Sequence, residues 1–562
     1  MIEKVRVRHF KKFAEHTFDM ADHVVLAGPN NSGKTTLLQA IVVWNLALQK
    51  WQFGAREGAK RRAGVPVTRK DFTAIPLREM NLLWTDTSTA LRKSEAGEGK
   101  AGFPRLMEIE LTGREAPGTD AWTLTFKFRY QSSEQIYVYP SEEHIGGLPP
   151  QATAINVVHV PPFSGIGVQE TRYDRPYQDL LIGQGKPGDI LRNLLFEVHQ
   201  NRDQGGWNEL THEIEEVFGY RLLPPKYEGL PYIVCEYRPK KQPTGLSFDI
   251  SSAGSGFHQV LMLLAFFYAR PSSLLLLDEP DAHLHVILQK QIYDMLRSIA
   301  GKRKCQLVVA THSEVLIDGT SPERIVSFYG TPHQLLQATQ RDQVREALKR
   351  LTAMDILLAD GSEGILYLEG ETDFNLLRAW AKVLKHPLYE KWFTGSPFWH
   401  SNQGRNPAEA RAHFFALRAI KPNIRGYLLL DGDNRNLSDH DVGADGLEIG
   451  RWIRYEAESY LVHPQVLKRF LDSRVTELFA ANGLQFLEDE LPAAVLREPL
   501  KDHDYLNRTP ASKTLLPGAL QAAGDSVSKD EYYLIAEQME PGEIAPEIKD
   551  KLDKIAVALG VT

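Results

Sequence analysis

Gly28-Pro29-Asn30-Asn31-Ser32-Gly33-Lys34-Thr35 sets two glycines around four residues and follows them with a lysine and a hydroxyl residue. Such a loop curls backbone N–H groups around phosphate oxygens. Lys34 would set a point charge against the β- and γ-phosphates, and Thr35 would offer its hydroxyl to Mg²⁺. The positive end of the helix that follows would face the anion. Gly28, Asn30, Asn31, Ser32, Gly33, Lys34, Thr35 and Thr36 are therefore the expected nucleotide-binding residues, with ATP and Mg²⁺ as cofactors. Far along the chain, residues 274–277 are four leucines that run into Asp278-Glu279-Pro280. A carboxylate carried out on the end of a buried strand can hold Mg²⁺ through water, the role expected of Asp278. Its neighbour Glu279 can polarise the attacking water. Thr311-His312-Ser313 closes the next apolar run and sets His312 to sense the γ-phosphate. An Asp-Glu pair or a single histidine is usually a solvated loop or a core residue, and only the strand frame around these three argues for chemistry.

A separate set of acids occupies residues 360–470. Residues 365–368 run into Glu369-Gly370-Glu371-Thr372-Asp373, and residues 426–430 run into Asp431-Gly432-Asp433. The stretch 452–460 adds Glu456 and Glu458. Parallel α/β sheets deliver reactive groups at the C-terminal ends of strands, so Glu369 and Asp431 are expected at one edge. Carboxylates that converge without basic partners repel one another and call for divalent cations. Mg²⁺ or Mn²⁺ there would activate water and stabilise the leaving oxygen of a phosphodiester. Asp-Gly-Asp alone is commonly a turn; the joint pattern of strand-Glu-Gly and strand-Asp-x-Asp carries the reading.

The elements that must hold these residues can be followed along the chain. Residues 2–7 alternate as a half-buried strand does, 24–27 form a short apolar strand, and 35–48 read as a helix. Residues 54–67, with Arg56, Lys60, Arg61 and Arg62, read as a surface loop. Strands are expected at 106–111, 122–130 and 135–139, then at 155–160, 233–237 and 246–250, with helices at 190–200 and 207–218. Residues 257–269 form an apolar helix, 283–299 another, and 274–277 and 306–310 are buried strands. A connector helix over 344–358 precedes a second α/β pattern, with strands at 365–368 and 426–430 and helices at 374–384 and 408–419. Helices dominate from about 464. There is no internal repeat.

The 562 residues suffice for two or three domains, and the composition, 43% hydrophobic and 24% charged, is that of a globular protein. A net charge of −7 gives no chain-wide sign of nucleic-acid binding, although local basic groups such as Arg56, Lys60, Arg61, Arg62, Lys240 and Lys241 are available for phosphate contact. Cys235 and Cys305 lie far apart and read as small core residues in a reducing compartment. The N-terminus lacks a signal peptide, and the longest apolar stretch, 260–269, is too short to span a bilayer. A soluble, cytoplasmic protein with no membrane partner is expected.

Ser251-Ser252-Ala253-Gly254-Ser255-Gly256, ahead of the apolar helix, resembles the ABC signature, whose serine, glycine and helix N-terminus cap the γ-phosphate held by another subunit. Ser255 and Gly256 align best by distance to the helix, and Ser252 is the alternative. The resemblance implies a homodimer through the heads or a higher homo-oligomer. Residues 1–50 together with 251–313 are similar to the RecF, structural-maintenance-of-chromosomes and OLD (overcoming lysogenization defect) ATPases, which are heads that work on DNA. Long coiled-coil heptads are missing, against the chromosome-maintenance members. The second acid set resembles a Toprim domain, and the fusion of the two is that of OLD nucleases. By that resemblance Glu369, Asp373, Asp431, Asp433, Glu456 and Glu458 would be metal-site carboxylates. Lys529 would match the basic residue that OLD sites use late in the domain. Asp373 departs from the glutamate usual there.

The expected fold is α/β: an ABC-ATPase head with an antiparallel β lobe (1–345), a connector (346–361), a Toprim-like α/β core (362–470) and a helical C-terminal part (471–562). The resemblance implies an ATP-regulated, metal-dependent endonuclease on DNA rather than RNA, in anti-phage defence, with a phage trigger or a second defence protein as partner. A sensor ATPase with a Toprim-like effector that cuts tRNA, as in PARIS systems, and a RecF-like repair ATPase without nuclease activity are the alternatives.

Overall fold

The computed structural model describes residues 1–561 apart from 57–63, 74, 76, 92–102, 117, 202–204, 242–243, 271, 402–406 and 435–444. The chain divides into two compact units, Met1–Val344 and Arg345–Thr562.

In the first unit, β1 (Ile2–Phe10), β2 (Phe13–Asp19), β3 (His23–Ala27), β4 (Val65–Thr68), β5 (Met107–Gly113), β6 (Trp122–Ser132), β7 (Gln135–Pro140), β8 (Val157–Val160), β9 (Tyr220–Leu222), β10 (Glu236–Pro239), β11 (Phe248–Asp249), β12 (Leu274–Asp278), β13 (Gln306–Thr311), β14 (Ile325–Ser327) and β15 (His333–Gln334) form three sheets. The central one has the order β15-β14-β3-β13-β12-β8. Its strands β14, β3, β13, β12 and β8 run parallel, and β15 pairs antiparallel at the edge. Strands β3, β12 and β13 are buried along their whole length. Strands covered on both faces read as unbroken apolar runs, which is why the four leucines of β12 show no alternation.

The antiparallel sheet β2-β1-β5-β6-β7-β4 alternates buried and solvated positions along β5 and β7. This lobe is more than an insert, because β1 and β2 at the N-terminus belong to it. The helix Lys34–Arg56 touches both sheets, and the Trp44 indole N–H donates to the Leu124 carbonyl at 2.9 Å inside that junction. The helix runs on past residue 48, so Arg56 ends a helix instead of opening a loop; Lys60, Arg61 and Arg62 lie outside the described residues. The strand expected over 246–250 shrinks to Phe248–Asp249, because Ile250–Ser252 tighten into a helical turn capped by Asp249. The helix expected from residue 283 starts at Val286, because His283 takes a left-handed φ of 64°. Both cysteines are buried and unpaired.

In the second unit, β16 (Gly364–Leu368), β17 (Trp399–Ser401), β18 (Arg425–Leu430) and β19 (Leu447–Arg451) form a wholly parallel sheet in the order β17-β16-β18-β19. The segment expected as one connector helix is two, Ala338–Arg350 and Ala353–Gly361. The break comes at Thr352, whose hydroxyl accepts the Asp355 N–H at 3.2 Å while the Asp355 carboxylate accepts the Thr352 N–H at 2.8 Å. The second of these helices is part of the unit's own fabric: Asp355 lies 3.6 Å from His413 Nε2, and His413 Nδ1 meets the Tyr367 hydroxyl at 2.9 Å. The helices between Pro464 and Ala558 share one core with Leu366, Leu368, Trp380 and Tyr427, so the helical C-terminal part completes the sheet domain. Among the described residues no helix is long and apolar enough to cross a membrane.

Gly432 follows β18 between Asp431 and Asp433. A Cβ added there would lie 2.1 Å from the Arg454 carbonyl oxygen and 2.8 Å from that of Trp452. Gly432→Ala must therefore push the acid-bearing turn away from the 452–454 segment. A loss of about 1–3 kcal/mol is expected for such overpacking. It would be read as an earlier urea midpoint for the second unit with the first unit's transition unmoved. An unshifted midpoint would show that the segment yields freely.

Candidate functional site

The first site forms at the C-terminal edge of the central sheet. In the register of β3, β13 and β12, Thr311 stands beside Ala27 and Ala310 beside Asp278. The chain leaving β3 enters the phosphate loop, the chain leaving β12 carries Glu279, and the chain leaving β13 carries His312. The loop closes by placing Asn31 at φ 60° and Gly33 at φ 113°; asparagine tolerates the first value and glycine the second. Lys34 is buried, and its ammonium donates to the carbonyls of Gly28 at 2.7 Å and Pro29 at 2.8 Å. The Ser32 hydroxyl is buried with no protein partner among the described residues. That orphaned donor inside the loop is what a phosphate oxygen would satisfy.

Thr35 and Asp278, 243 residues apart, meet side chain to side chain, with the Thr35 hydroxyl donating to Asp278 Oδ1 at 3.1 Å. Burial pushes the Asp278 carboxyl up to about 6, with the Thr35 hydrogen bond and the Lys34 charge opposing the shift and the Glu279 charge adding to it. The same burial lowers the Lys34 ammonium, opposed by Glu279, Asp278 and Asp281. The donors fit Mg²⁺: a hydroxyl and a desolvated carboxylate in contact, beside a pocket of about 350 Å³ lined by residues 30–36 and Glu279. Glu279 itself is held at φ 51°, with its N–H on the Ala310 carbonyl at 2.9 Å. Its carboxylate lies 3.4 Å from His312 Nδ1. A left-handed glutamate costs about 1–3 kcal/mol and persists where its surroundings over-determine it.

Those surroundings include residues that motif reading passes over. Asp281, buried, accepts from the Thr311 hydroxyl at 2.6 Å. The Ser313 hydroxyl donates to Gln289 Oε1 at 2.7 Å, and Gln259 Nε2 donates to the Pro280 carbonyl at 3.1 Å. The one sequence signal was a third acid, Asp281, three residues after Asp278. Gln259 also ties this turn to the helix Ser255–Ala269, at whose exposed start Ser255 and Gly256 stand. Ser252 is placed differently: its hydroxyl donates back to the Asp249 carbonyl at 2.7 Å. Of the basic residues considered for phosphate contact, Lys240 is paired with Glu215 and Glu216, both at 3.2 Å, and Lys241 is exposed.

The second site lies at the matching edge of the other sheet. Strands β16 and β18 are neighbours with Tyr367 beside Leu428, so Glu369 and Asp431 both emerge at their C-terminal ends. Asp431, Asp373 and Glu458 are buried. Burial, followed by the charges of Asp373, Glu369, Glu458 and Glu456, drives Asp431 far above the carboxylate range. Asp373 is raised by burial and by Glu458 and Glu369, with Lys529 and the Gly370 N–H opposing. Four of the expected acids, Glu369, Asp373, Asp431 and Glu458, thus press on one another.

Lys529, the basic residue that the resemblance expects late in the site, sits with its Nζ 2.7 Å from Glu458 Oε1. One detail departs from expectation. Glu456 is spent elsewhere, since one oxygen accepts the Ser512 N–H at 2.5 Å and the other the Ser512 hydroxyl at 3.0 Å; it ties the helical part to the sheet. Asp433 turns into the short helical turn Gly432–Asn434, with its N–H on the Tyr455 carbonyl at 3.2 Å. Among the described residues, no group of three or more His, Cys, Asp or Glu side chains is arranged to hold a metal ion as it stands. Mg²⁺ needs only one or two carboxylates with water completing its shell, and the hard oxygen donors of Glu369 and Asp431 fit that chemistry.

Residues 240–318 match the protein family described as "AAA domain, putative AbiEii toxin, Type IV TA system". No curated protein matches the sequence significantly. Among solved structures, the SMC head domain from Thermotoga maritima is 14% identical, with 58% of this chain and 94% of that one covered and a TM-score of 0.32. The SmcHead bound to the C-winged helix domain of ScpA shares the same identity and coverage, with a TM-score of 0.35. An Smc head domain with an extended coiled coil, bound to the C-terminal domain of ScpA derived from Pyrococcus furiosus, is also 14% identical, covering 58% of this chain and 92% of its own, with a TM-score of 0.34. The matched segment spans the helix Ser255–Ala269, Asp278, Glu279 and His312, and it meets the phosphate loop through the Thr35–Asp278 hydrogen bond: the first unit carries a segment similar to an ATPase domain of the AAA type.

Proposed function

We propose that the chain is an ATP-regulated, metal-dependent endonuclease: a head that binds and hydrolyses ATP as a dimer, joined to a phosphodiester-cleaving site in the second unit. The observation that carries the second half is the crowding at Asp431. Four carboxylates come together beside a single lysine, three of them buried, and burial together with the neighbouring charges raises Asp431 and Asp373. A divalent cation would offset that crowding of charge, and it would supply Lewis-acid stabilisation of a leaving oxygen and a more acidic water. Glu369 and Asp431 would hold it. Asp373, whose carboxylate accepts the Gly370 N–H at 3.1 Å, would fix the turn that carries Glu369. Lys529, 2.7 Å from Glu458, would face the phosphate oxygens. DNA as substrate and a role in anti-phage defence rest on the resemblance to OLD proteins.

In the head, Lys34 and Thr35 would bind the triphosphate with Mg²⁺ shared by Thr35 and Asp278. Glu279 would orient the water, and His312, hydrogen-bond distance from it, would report the γ-phosphate. The nucleotide pocket is lined by the loop and Glu279, and Ser255 and Gly256 of a second copy would close it.

Glu279→Gln keeps shape and removes the base. Hydrolysis should fall by about 10²–10⁴-fold, while nucleotide binding survives and the dimer accumulates on ATP. Phosphate release and light scattering measure the two. A variant that hydrolyses at the parent rate would remove Glu279 from the mechanism.

For the second unit, the protein would be incubated with plasmid and with tRNA, in Mg²⁺ or Mn²⁺, with and without ATP. Nicked plasmid is expected, abolished by EDTA and by Asp431→Asn with the ATPase rate unchanged. Cut tRNA beside intact plasmid would move the substrate to RNA, and no cleavage of either would leave the chain an ATPase alone.

A further inference from the structure

Along the helix Glu371–Val383 the second unit has a slot that neither the ATPase nor the acid cluster uses. It is a cavity of about 270 Å³ lined by Asn375, Arg378, Lys382, Tyr389, Tyr533 and Glu537. Asn375, Arg378 and Lys382 are spaced at i, i+3 and i+7, so they stand on one face of the helix. Arg378 and Lys382 are exposed and the two tyrosines half-buried. The cations repel, and the Arg378 charge opposes the protonation of Lys382. The Glu537 carboxylate, 2.8 Å from Lys382, overrides that opposition and raises Lys382. Two cations face one acid, and the guanidinium is the surplus charge.

We infer that this slot takes one nucleotide of an unpaired nucleic-acid strand, with its phosphate on Arg378 and Lys382 and its base against Tyr389 and Tyr533. A guanidinium fork beside an ammonium matches a phosphodiester. Aromatic faces at its side give the sequence-tolerant stacking by which single strands are held. Asn375 offers both a donor and an acceptor to a base edge. The cavity admits one nucleotide and no duplex. Asp373 lies on the same helix five residues before Arg378, about 7.5 Å along the axis and about 140° around it, so the slot and the acid cluster occupy different faces of one helix. The inference deepens the nuclease reading by naming the form of the substrate, and it rests on that reading only for its purpose, since binding needs no metal.

The test uses the full chain in EDTA, so that cleavage plays no part. Short single strands carrying 5-iodouracil are photocrosslinked and the crosslinked peptides mapped, and a hairpin duplex of the same sequence serves as the comparison. Crosslinks are expected at Tyr389 or Tyr533. They should be several-fold weaker in Arg378→Ala and several-fold stronger in Glu537→Gln, which removes the competing carboxylate. A gain on substitution cannot come from misfolding. The salt dependence of single-strand binding should flatten by about 0.7 in log–log slope for Arg378→Ala. Crosslinks confined to other peptides, slot crosslinks indifferent to both variants, or equal slot crosslinking by the duplex would each overturn the inference. Slot crosslinks with no plasmid or tRNA cleavage in metal would sink the nuclease reading alone. Cleavage sensitive to Asp431→Asn with no slot crosslink would sink the slot alone.

Discussion

A parallel strand buried on both faces can show a polar group to solvent only at its ends, and both units of this chain are organised by that constraint. After the buried His23 and Gln306 that open β3 and β13, the strands β3, β12 and β13 carry apolar side chains, and then Gly28, Asp278 and Thr311 arrive together. β16 and β18 do the same with Glu369 and Asp431. Nothing in the local sequence binds Thr35 to Asp278 across 243 residues; the sheet does it, by setting β13 between β3 and β12 so that the loop after one strand overhangs the carboxylate after another.

The two edges solve one electrostatic problem in different ways. At the first, Asp278 and Glu279 face a buried ammonium, Lys34, which is itself pinned to loop carbonyls and so cannot move off to pair with either acid. Asp278 is raised only to about 6. At the second, Lys529 reaches in from the helical part and takes Glu458, leaving Glu369, Asp373 and Asp431 to one another. Asp431 is strongly raised because it is buried and because every other acid of the group acts on it. Burying such a set is costly unless positive charge arrives with a ligand. Each edge thus sets one lysine against its acids, Lys34 at the first and Lys529 at the second.

How much of this was legible in the sequence depends on whether a residue's role was set by neighbours in the chain or by neighbours in space. The phosphate loop, the leucine strand before Asp278 and the strand before Glu369 are local patterns, and the elements expected there are close to those observed. β17 and β19 were invisible, because an edge strand of three residues, or one reading Leu-Glu-Ile-Gly-Arg, has no buried run to announce it. Glu456 and Glu458 sit two apart in the same acidic stretch, and sequence gave no reason to separate them. The fold does, by bringing Ser512 to one and Lys529 to the other. Lys529 was named only through the resemblance, since Glu458, which it meets, lies 71 residues away.

The same logic explains why the left-handed residues gather where they do. Asn31 and Gly33 turn the phosphate loop, Glu279 and His283 turn the segment after β12, and each turn aims polar groups at the same volume. Glycine would be easier at 279, but glycine has no carboxylate. The position keeps a glutamate and accepts the strain, with the Ala310 carbonyl, Asp281 on Thr311, and Gln259 on Pro280 holding the segment in place. The helix that supplies Gln259 begins with Ser255 and Gly256, so one hydrogen bond links the helix that opens on the serine-glycine step to the turn that carries the strained glutamate. Whatever binds at Ser255 therefore bears on the geometry of Glu279, which is how a second head could set the rate of the first without touching its nucleotide loop.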